Sequence, residues 1–336
     1  MKDYSSIVVG SKVRFLRNLL GFDFPSMLAG DEGIKVLNKL ADTVLSIDDE
    51  YKLYKMKTLP ELDVNIMREK RLISNRLLDA VGYGAVVLSK DENIAIMLNE
   101  SDHLCEQCML PGLSLISAFD RLNQIDSQIL SKLDIAFDDS IGFLTSNISD
   151  VGTGLKASVT LFLPALTIQG KIKDIMSNLA NQGVELGVLG DEDMQGTTYN
   201  YTVSNAQTIG KKESDYVVKL TEIAIKLSEM EVRARSELLT FKHIDDVKDK
   251  VNRAWGILTN CFKICVDEAG RLLGELKMGV ALDLIRFKEV KFLDDLLTDI
   301  QPYSLTKISG SSVADSELDK YRASFIAGVL KTKRIK

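Results

Sequence analysis

The chain has 336 residues, 45% hydrophobic and 27% charged, enough for a sizeable core in one large domain or two. Its formal net charge of −6 gives no broad attraction to nucleic acid or anionic lipid, so neither is an expected partner. No window approaches the roughly 18 uncharged apolar residues of a membrane helix. The apolar stretch after Ser6 is broken by Lys12, Arg14 and Arg17, unlike a secretory signal, and the expectation is a soluble cytoplasmic protein.

In chain order, a helical pattern covers Ile34 to Leu45, with apolar residues three and four apart. Ala85 to Leu88 and Ile94 to Leu98 are β-prone runs separated by the polar Ser89-Lys90-Asp91-Glu92-Asn93, the pattern of a hairpin. Helical patterns follow at Leu113 to Leu130 and Lys171 to Asn181, with strand candidates at Ser158 to Phe162 and Thr198 to Val203. From Ser214 the character changes. Val217, Leu220, Ile223, Leu227, Met230 and Ala234 keep one helical phase without Pro or Gly, which predicts a single long helix. Further helical patterns cover Val247 to Leu258, Glu268 to Leu276 and Lys288 to Leu297, and Gly310-Ser311-Ser312 is a flexible-looking break. The expected class is α+β, an antiparallel sheet flanked by helices over residues 1–213, with an all-helical domain over 214–336.

Four cysteines without an export signal argue for reduced thiols. Cys105-x2-Cys108 and Cys261-x3-Cys265 have spacings that suit a zinc hook, but the pairs lie far apart, and buried thiols are the commoner outcome.

The motifs Gly10-Ser11-Lys12-Val13-Arg14-Phe15-Leu16-Arg17-Asn18, Glu69-Lys70-Arg71-Leu72-Ile73-Ser74, Asn99-Glu100-Ser101-Asp102-His103-Leu104-Cys105, Gln107 to Leu113, Gly142 to Ser146 and Val151 to Val159 occur in one order. Together they resemble the ATP:guanidino phosphotransferases, most closely the bacterial protein arginine kinase branch. Arg253-Ala254-Trp255-Gly256-Ile257-Leu258 extends the likeness into the helical region. The resemblance implies a guanidino kinase catalytic fold, ATP with Mg²⁺, a protein substrate or partner kinase, a zinc-finger activator, and a homodimer or a heterodimer with a paralogue. It also suggests a stress-response role in protein quality control.

Where the family reads N-E-E-D-H-L-R, this chain has Ser101 at the base and Cys105 at a phosphate-binding arginine. An arginine side chain has a free pKa of roughly 12.5 to 13.8, so phosphorylating it calls for a carboxylate that orients it and takes a proton. Ser101 cannot, and losing such a base removes about 10²–10⁴ in rate. If the segment is extended, adjacent side chains point to opposite faces, which disfavours substitution by Glu100 without ruling it out. The resemblance places nucleotide contacts at Ser11, Lys12, Arg14, Cys105 and Lys156, with a further arginine position at Leu186, and only Arg14 keeps the guanidinium. Lysine lacks the planar fork that grips two phosphate oxygens.

Asp191 stands for the second substrate-binding acid, with Glu192 as its alternative, and Asn147 stands for the family's reactive cysteine. The phosphoarginine-sensing motif reads Leu318-Asp319-Lys320-Tyr321-Arg322-Ala323, making Asp319 and Arg322 its remaining allosteric candidates. Asp102 and His103 form a hydrogen-bonded structural pair or a catalytic one, the former favoured for want of a nucleophile. Gly152-Thr153-Gly154 is either a phosphate cradle or a tight turn. On these grounds the chain is a catalytically impaired regulator of protein arginine phosphorylation, or alternatively an active kinase in which Glu100, Lys12 and Lys156 replace the usual set.

Overall fold

The computed structural model describes residues 4–28, 30–79, 82–189, 199–240, 244–310 and 313–335. Its first half is built on strands β1 (Val8–Arg17), β2 (Lys52–Lys55), β3 (Ala85–Leu88), β4 (Ile94–Leu98) and β5 (Leu104–Pro111), with helices α1 (Gly30–Leu45), α2 (Glu61–Glu69), α3 (Asn75–Asp79) and α4 (Leu115–Leu130). After a small hairpin of β6 (Phe137–Asp138) and β7 (Gly142–Phe143) come β8 (Leu155–Phe162), α5 (Pro164–Ile168), α6 (Ile172–Ala180), β9 (Val184–Val188), β10 (Asn200–Asn205) and α7 (Glu213–Thr240). The helical remainder is α8 (Ile244–Asn260), α9 (Val266–Ala281), α10 (Phe292–Asp299), α11 (Pro302–Ser309) and α12 (Asp315–Lys333). No helix among the described residues is long and apolar enough to cross a membrane.

The main sheet has eight strands in the order β2-β3-β4-β5-β1-β8-β10-β9, antiparallel throughout, which agrees with the α+β expectation. Because strand side chains alternate, the sheet has two unlike faces. Val13, Phe15, Ala157, Val159, Leu161 and Val203 point into a core covered by α1, α4, α6 and α7. Lys12, Arg14, Gln107, Lys156, Ser158, Thr202 and Ser204 lie on the other face, which the registers bring side by side across β5, β1, β8 and β10. This alternation explains why β1 is not legible as a strand from apolar runs: Lys12 and Arg14, on the open face, interrupt the apolar positions.

The long helix α7 is predicted from Ser214, at the 213/214 division. Its buried residues Tyr216, Val217, Leu220, Ala224 and Leu227 join the core of the sheet. A second core, from Val247 to Leu330, packs the later helices together and takes in Phe162 at the end of β8. Buried Lys277 of α9 pairs with Asp294 and sits 4.6 Å above the Phe162 ring, binding the two cores at that point.

At the centre of the first core, Arg17 is fully buried with Asp126 of α4, Nη2 to Oδ2 at 2.9 Å and Nε to Oδ1 at 3.1 Å. Its Nη1 donates to Thr153 O at 2.9 Å and Leu16 O at 3.0 Å, and the guanidinium stacks 3.7 Å from the Phe143 ring. Glu106 is wholly buried beside this pair, and burial, reinforced by the charge of Asp126, pushes its carboxyl well above the ordinary range. Removing one partner of a buried pair strands the other. Arg17→Met is therefore expected to cost about 3–5 kcal/mol of unfolding free energy in a denaturant titration. Glu106→Leu, which replaces a buried carboxyl by an apolar group of similar size, is expected to be neutral or stabilising in the same assay.

Candidate active site

The open face of the sheet has a polar floor, and the Glu100 carboxylate stands at one end of it, beside Ser101 and Ser74. Residues 99–103 join β4 to β5 as a tight turn, closed by Asn99 N to His103 O at 2.9 Å and Glu100 N to Asp102 O at 3.1 Å. Asn99 takes φ +54, and its side-chain amide donates to Gly33 O and Tyr83 O at 3.2 and 3.1 Å, pinning the turn to α1 and its neighbour.

In this turn the alternation of an extended strand does not apply, and the expectation that Glu100 points away from Ser101 is corrected. The Glu100 carboxylate accepts from the Ser101 N–H at 2.7 Å, from the Ser101 hydroxyl and from the Ser74 hydroxyl. Burial alone would raise its pKa, but these hydrogen bonds and the Arg14 charge outweigh it, so the group sits below its ordinary value and is ionised at neutral pH.

Asp102 and His103 are structural. Asp102 Oδ1 accepts from Asn18 Nδ2 at 2.6 Å and from Ser146 N at 2.7 Å, while His103 Nδ1 accepts from Leu19 N at 3.1 Å. Burial depresses the imidazole to about 4, so it is neutral.

Where the resemblance places the phosphate contacts, the side chains are held by partners or covered. Arg14 Nε donates to Gln107 Oε1 at 2.9 Å, and Gln107 Nε2 donates to Arg71 O at 3.0 Å, which makes Gln107 a bracket between β1 and the end of α2. Lys12 is half-buried, and burial, with Arg14 and Arg71 nearby, lowers its ammonium to about 7. Lys156 is held 2.9 Å from Asp150 Oδ1. Cys105 lies on the same face but is covered by Leu72, Ile73 and Leu77, and burial pushes its thiol up to about 12.

Other expected contacts fall elsewhere. Ser11 points to the opposite face, where its hydroxyl donates to Gly112 O at 2.8 Å and accepts from Ser114 N at 3.0 Å. Leu186 is in the apolar core, so no charge stands at that position on the open face. Asn147 is exposed and caps a short 3-10 turn. Asp191 and Glu192 lie outside the described residues.

Gly152-Thr153-Gly154 is engaged as a turn. Gly152 N donates to Phe143 O at 3.2 Å and Thr153 N to Thr208 O at 2.9 Å, so these two N–H groups do not face a ligand. Gly152 has φ +113, and a Cβ there would meet Thr208 O at 2.5 Å, which is why glycine stands at that point.

Cys105 and Cys108 project from opposite faces of β5 into different clusters, while Cys261 and Cys265 belong to the helical domain. Among the described residues no group of three or more His, Cys, Asp or Glu is arranged to hold a metal ion. In the helical domain Arg322 is buried and donates to Ile300 O at 2.9 Å, Ile264 O at 3.0 Å and the Asp319 carboxylate. The pair works as a pin between helices. Ser74, Arg71, Gln107 and Asp150 carry no signal of their own in the sequence. Ser74 and Arg71 lie in the Glu69-to-Ser74 motif, whose role is readable only once the turn at 99–103 is placed against it.

A sequence profile for the ATP:guanido phosphotransferase C-terminal catalytic domain matches residues 34–234, and one for the protein-arginine kinase McsB C-terminal domain matches 244–335. The chain belongs to the ATP:guanido phosphotransferases, in their bacterial protein arginine kinase branch. It is 34% identical over 331 residues to a protein-arginine kinase of Caldanaerobacter subterraneus subsp. tengcongensis, covering 97% of this chain and 98% of the relative. With a protein-arginine kinase of Bacillus subtilis it shares 32% over 326 residues, covering 96% and 89%. The fold is similar to the duplicated taurocyamine kinase from Schistosoma mansoni, with a TM-score of 0.65 at 22% identity over 78% of this chain and 40% of that one. It is also similar to a lombricine kinase, with a TM-score of 0.62 at 21% identity over 70% and 69%.

Lys12 has a measurable signature. Its ammonium is near 7 in the folded chain and 10.5 for a lysine free in water, so from pH 10.5 down to 7 the unfolded state binds more protons. Stability therefore falls as pH drops through that window. Lys12→Met is expected to melt at a higher temperature than the native chain at pH 7, with the gap closing toward pH 10; thermal melts across that range check it.

Proposed function

We propose that this chain is a catalytically impaired member of the protein arginine kinase branch that binds a protein partner and regulates protein arginine phosphorylation in cytoplasmic protein quality control. The observation that supports this most is the state of the phosphate side. Cys105 is neutral and covered, Lys156 is paired with Asp150, and burial lowers the Lys12 ammonium to about 7. Phosphoryl transfer depends on fixed cations around the developing charge. Arg14 is the family arginine kept there, bracketed by Gln107, and it would hold a phosphate oxygen. ATP with Mg²⁺ therefore fits this face only in part. The partner in this reading is an active paralogue or a zinc-finger activator, and the helical domain is the surface for dimerisation.

A second reading, an active ATP-dependent protein arginine kinase, has one observation in its favour: the ionised Glu100 turned toward Ser101 and Arg14. There Glu100 would orient the substrate guanidinium and take its proton, while ATP supplies the phosphoryl group.

Phosphoarginine formation, measured by mass spectrometry under non-acidic conditions with Mg-ATP and an unfolded arginine-rich substrate, separates the two. The first reading expects silence from the native chain and recovery in Ser101→Glu/Cys105→Arg. Strong phosphorylation by the native chain, abolished in Glu100→Gln, establishes the second and overturns the first.

A further inference from the structure

The Glu69-to-Ser74 segment makes contacts at both of its ends that join the helical domain to the candidate site. At one end, Glu69 closes α2 and places its carboxylate on the N-terminus of α11. Oε1 accepts from Tyr303 N at 2.9 Å, and Oε2 accepts from Ser304 N and from Ser304 Oγ, each at 2.7 Å. A carboxylate on the free N–H groups of a helix start is favoured by charge and by hydrogen bonding. The contact is widened by Lys307 Nζ with Asp63 at 3.2 Å and by Arg68 over the Tyr303 ring at 6.0 Å.

At the other end, Ser74 donates to the Glu100 carboxylate, and Arg71 O holds the Gln107 amide that brackets Arg14. The link between the ends is stiff. Lys70 N bonds Ile66 O at 2.9 Å and Leu72 N bonds Met67 O at 2.9 Å, closing the last turn of α2 around Arg71 at φ +60, a left-handed position where glycine is usual. Leu72, Ile73 and Leu77 are then buried with Leu16, Met97 and Cys105 beneath the sheet. A displacement at Glu69 has no loose joint to absorb it before Ser74.

We propose that Glu69 is a positioning residue: by seating α11 of the helical domain, it fixes the Arg71-to-Ser74 segment that holds Glu100 directly and Arg14 through Gln107. The seat of Glu100 then depends on how the helical domain is docked. This rests on Glu100 and Arg14 as the site's acid and cation, but its test does not require turnover.

The Ser101 amide donates to the Glu100 carboxylate, so its hydrogen exchange reports that seat. Residue-resolved exchange would be compared for the full chain, Glu69→Ala, Glu69→Asp and Ser304→Ala. Glu69→Ala is expected to speed exchange at Ser101 about tenfold while β1 and β8 keep native protection. Ser304→Ala should show the same pattern more weakly, and Glu69→Asp should restore most of the protection. Faster exchange confined to 302–309, with Ser101 unchanged in every variant, reduces Glu69 to a helix cap and overturns the proposal. Uniform loss of protection across the chain in both Glu69→Ala and Ser304→Ala overturns it too. Either outcome is independent of whether the native chain phosphorylates arginine.

Discussion

The buried guanidinium of Arg17 is the joint on which the rest of the catalytic half is set. It reaches α4 through Asp126, the turn before β8 through Thr153 O, and its own strand through Leu16 O, with the Phe143 ring stacked on it. A desolvated cation is stable only when each donor has a partner, so the three elements must meet in one arrangement. That arrangement sets the register of β1 between β5 and β8, and with it the alternation that turns Lys12, Arg14, Gln107 and Lys156 to one face. Asn18, next in sequence, then anchors the Asp102 carboxylate and the 99–103 turn.

On that frame the end of the face that carries Glu100 and the end to which the resemblance assigns the phosphates differ in charge. The acid side retains an ionised carboxylate, supplied by Glu100 and held by two serines. Where the family pattern supplies several forked cations, this face keeps Arg14, while Lys156 is paired with Asp150 and burial lowers Lys12. Charge cannot be restored there by rotating a side chain: Cys105 is covered by the Leu72 cluster, and Leu186 is on the wrong face of the sheet. In the helical domain Arg322, which the resemblance places in a phosphoarginine-sensing motif, gives its donors to backbone carbonyls and Asp319.

Much of the fold is legible where one side of an element is apolar. The 85–98 hairpin, α1, α4, α6 and the long α7 follow from period and turn chemistry. β1 and β5 are hidden because Lys12, Arg14 and Glu106 interrupt their apolar runs, although two of these line the open face and the third is a wholly buried acid. α12 is hidden because its buried face includes Arg322. At the site, the motif positions give the residues that have changed, but not where Glu100 points, since that depends on a turn whose closure is set by Asn99. Ser11 is misplaced by the motif for a related reason: adjacent residues on a strand face opposite ways, and Ser11 belongs to the core side.

The central claim is that the phosphate side is short of available charge, with Lys12 at its margin. Calorimetric titration of the full chain with Mg-ATP at pH 6.5 and 8.5 tests this most directly. Lys12 near 7 must gain a proton to meet an anion, so the account predicts weak binding that loses about ten- to thirtyfold in affinity between the two pH values, or no binding at all. Tight binding of equal strength at both pH values would contradict it.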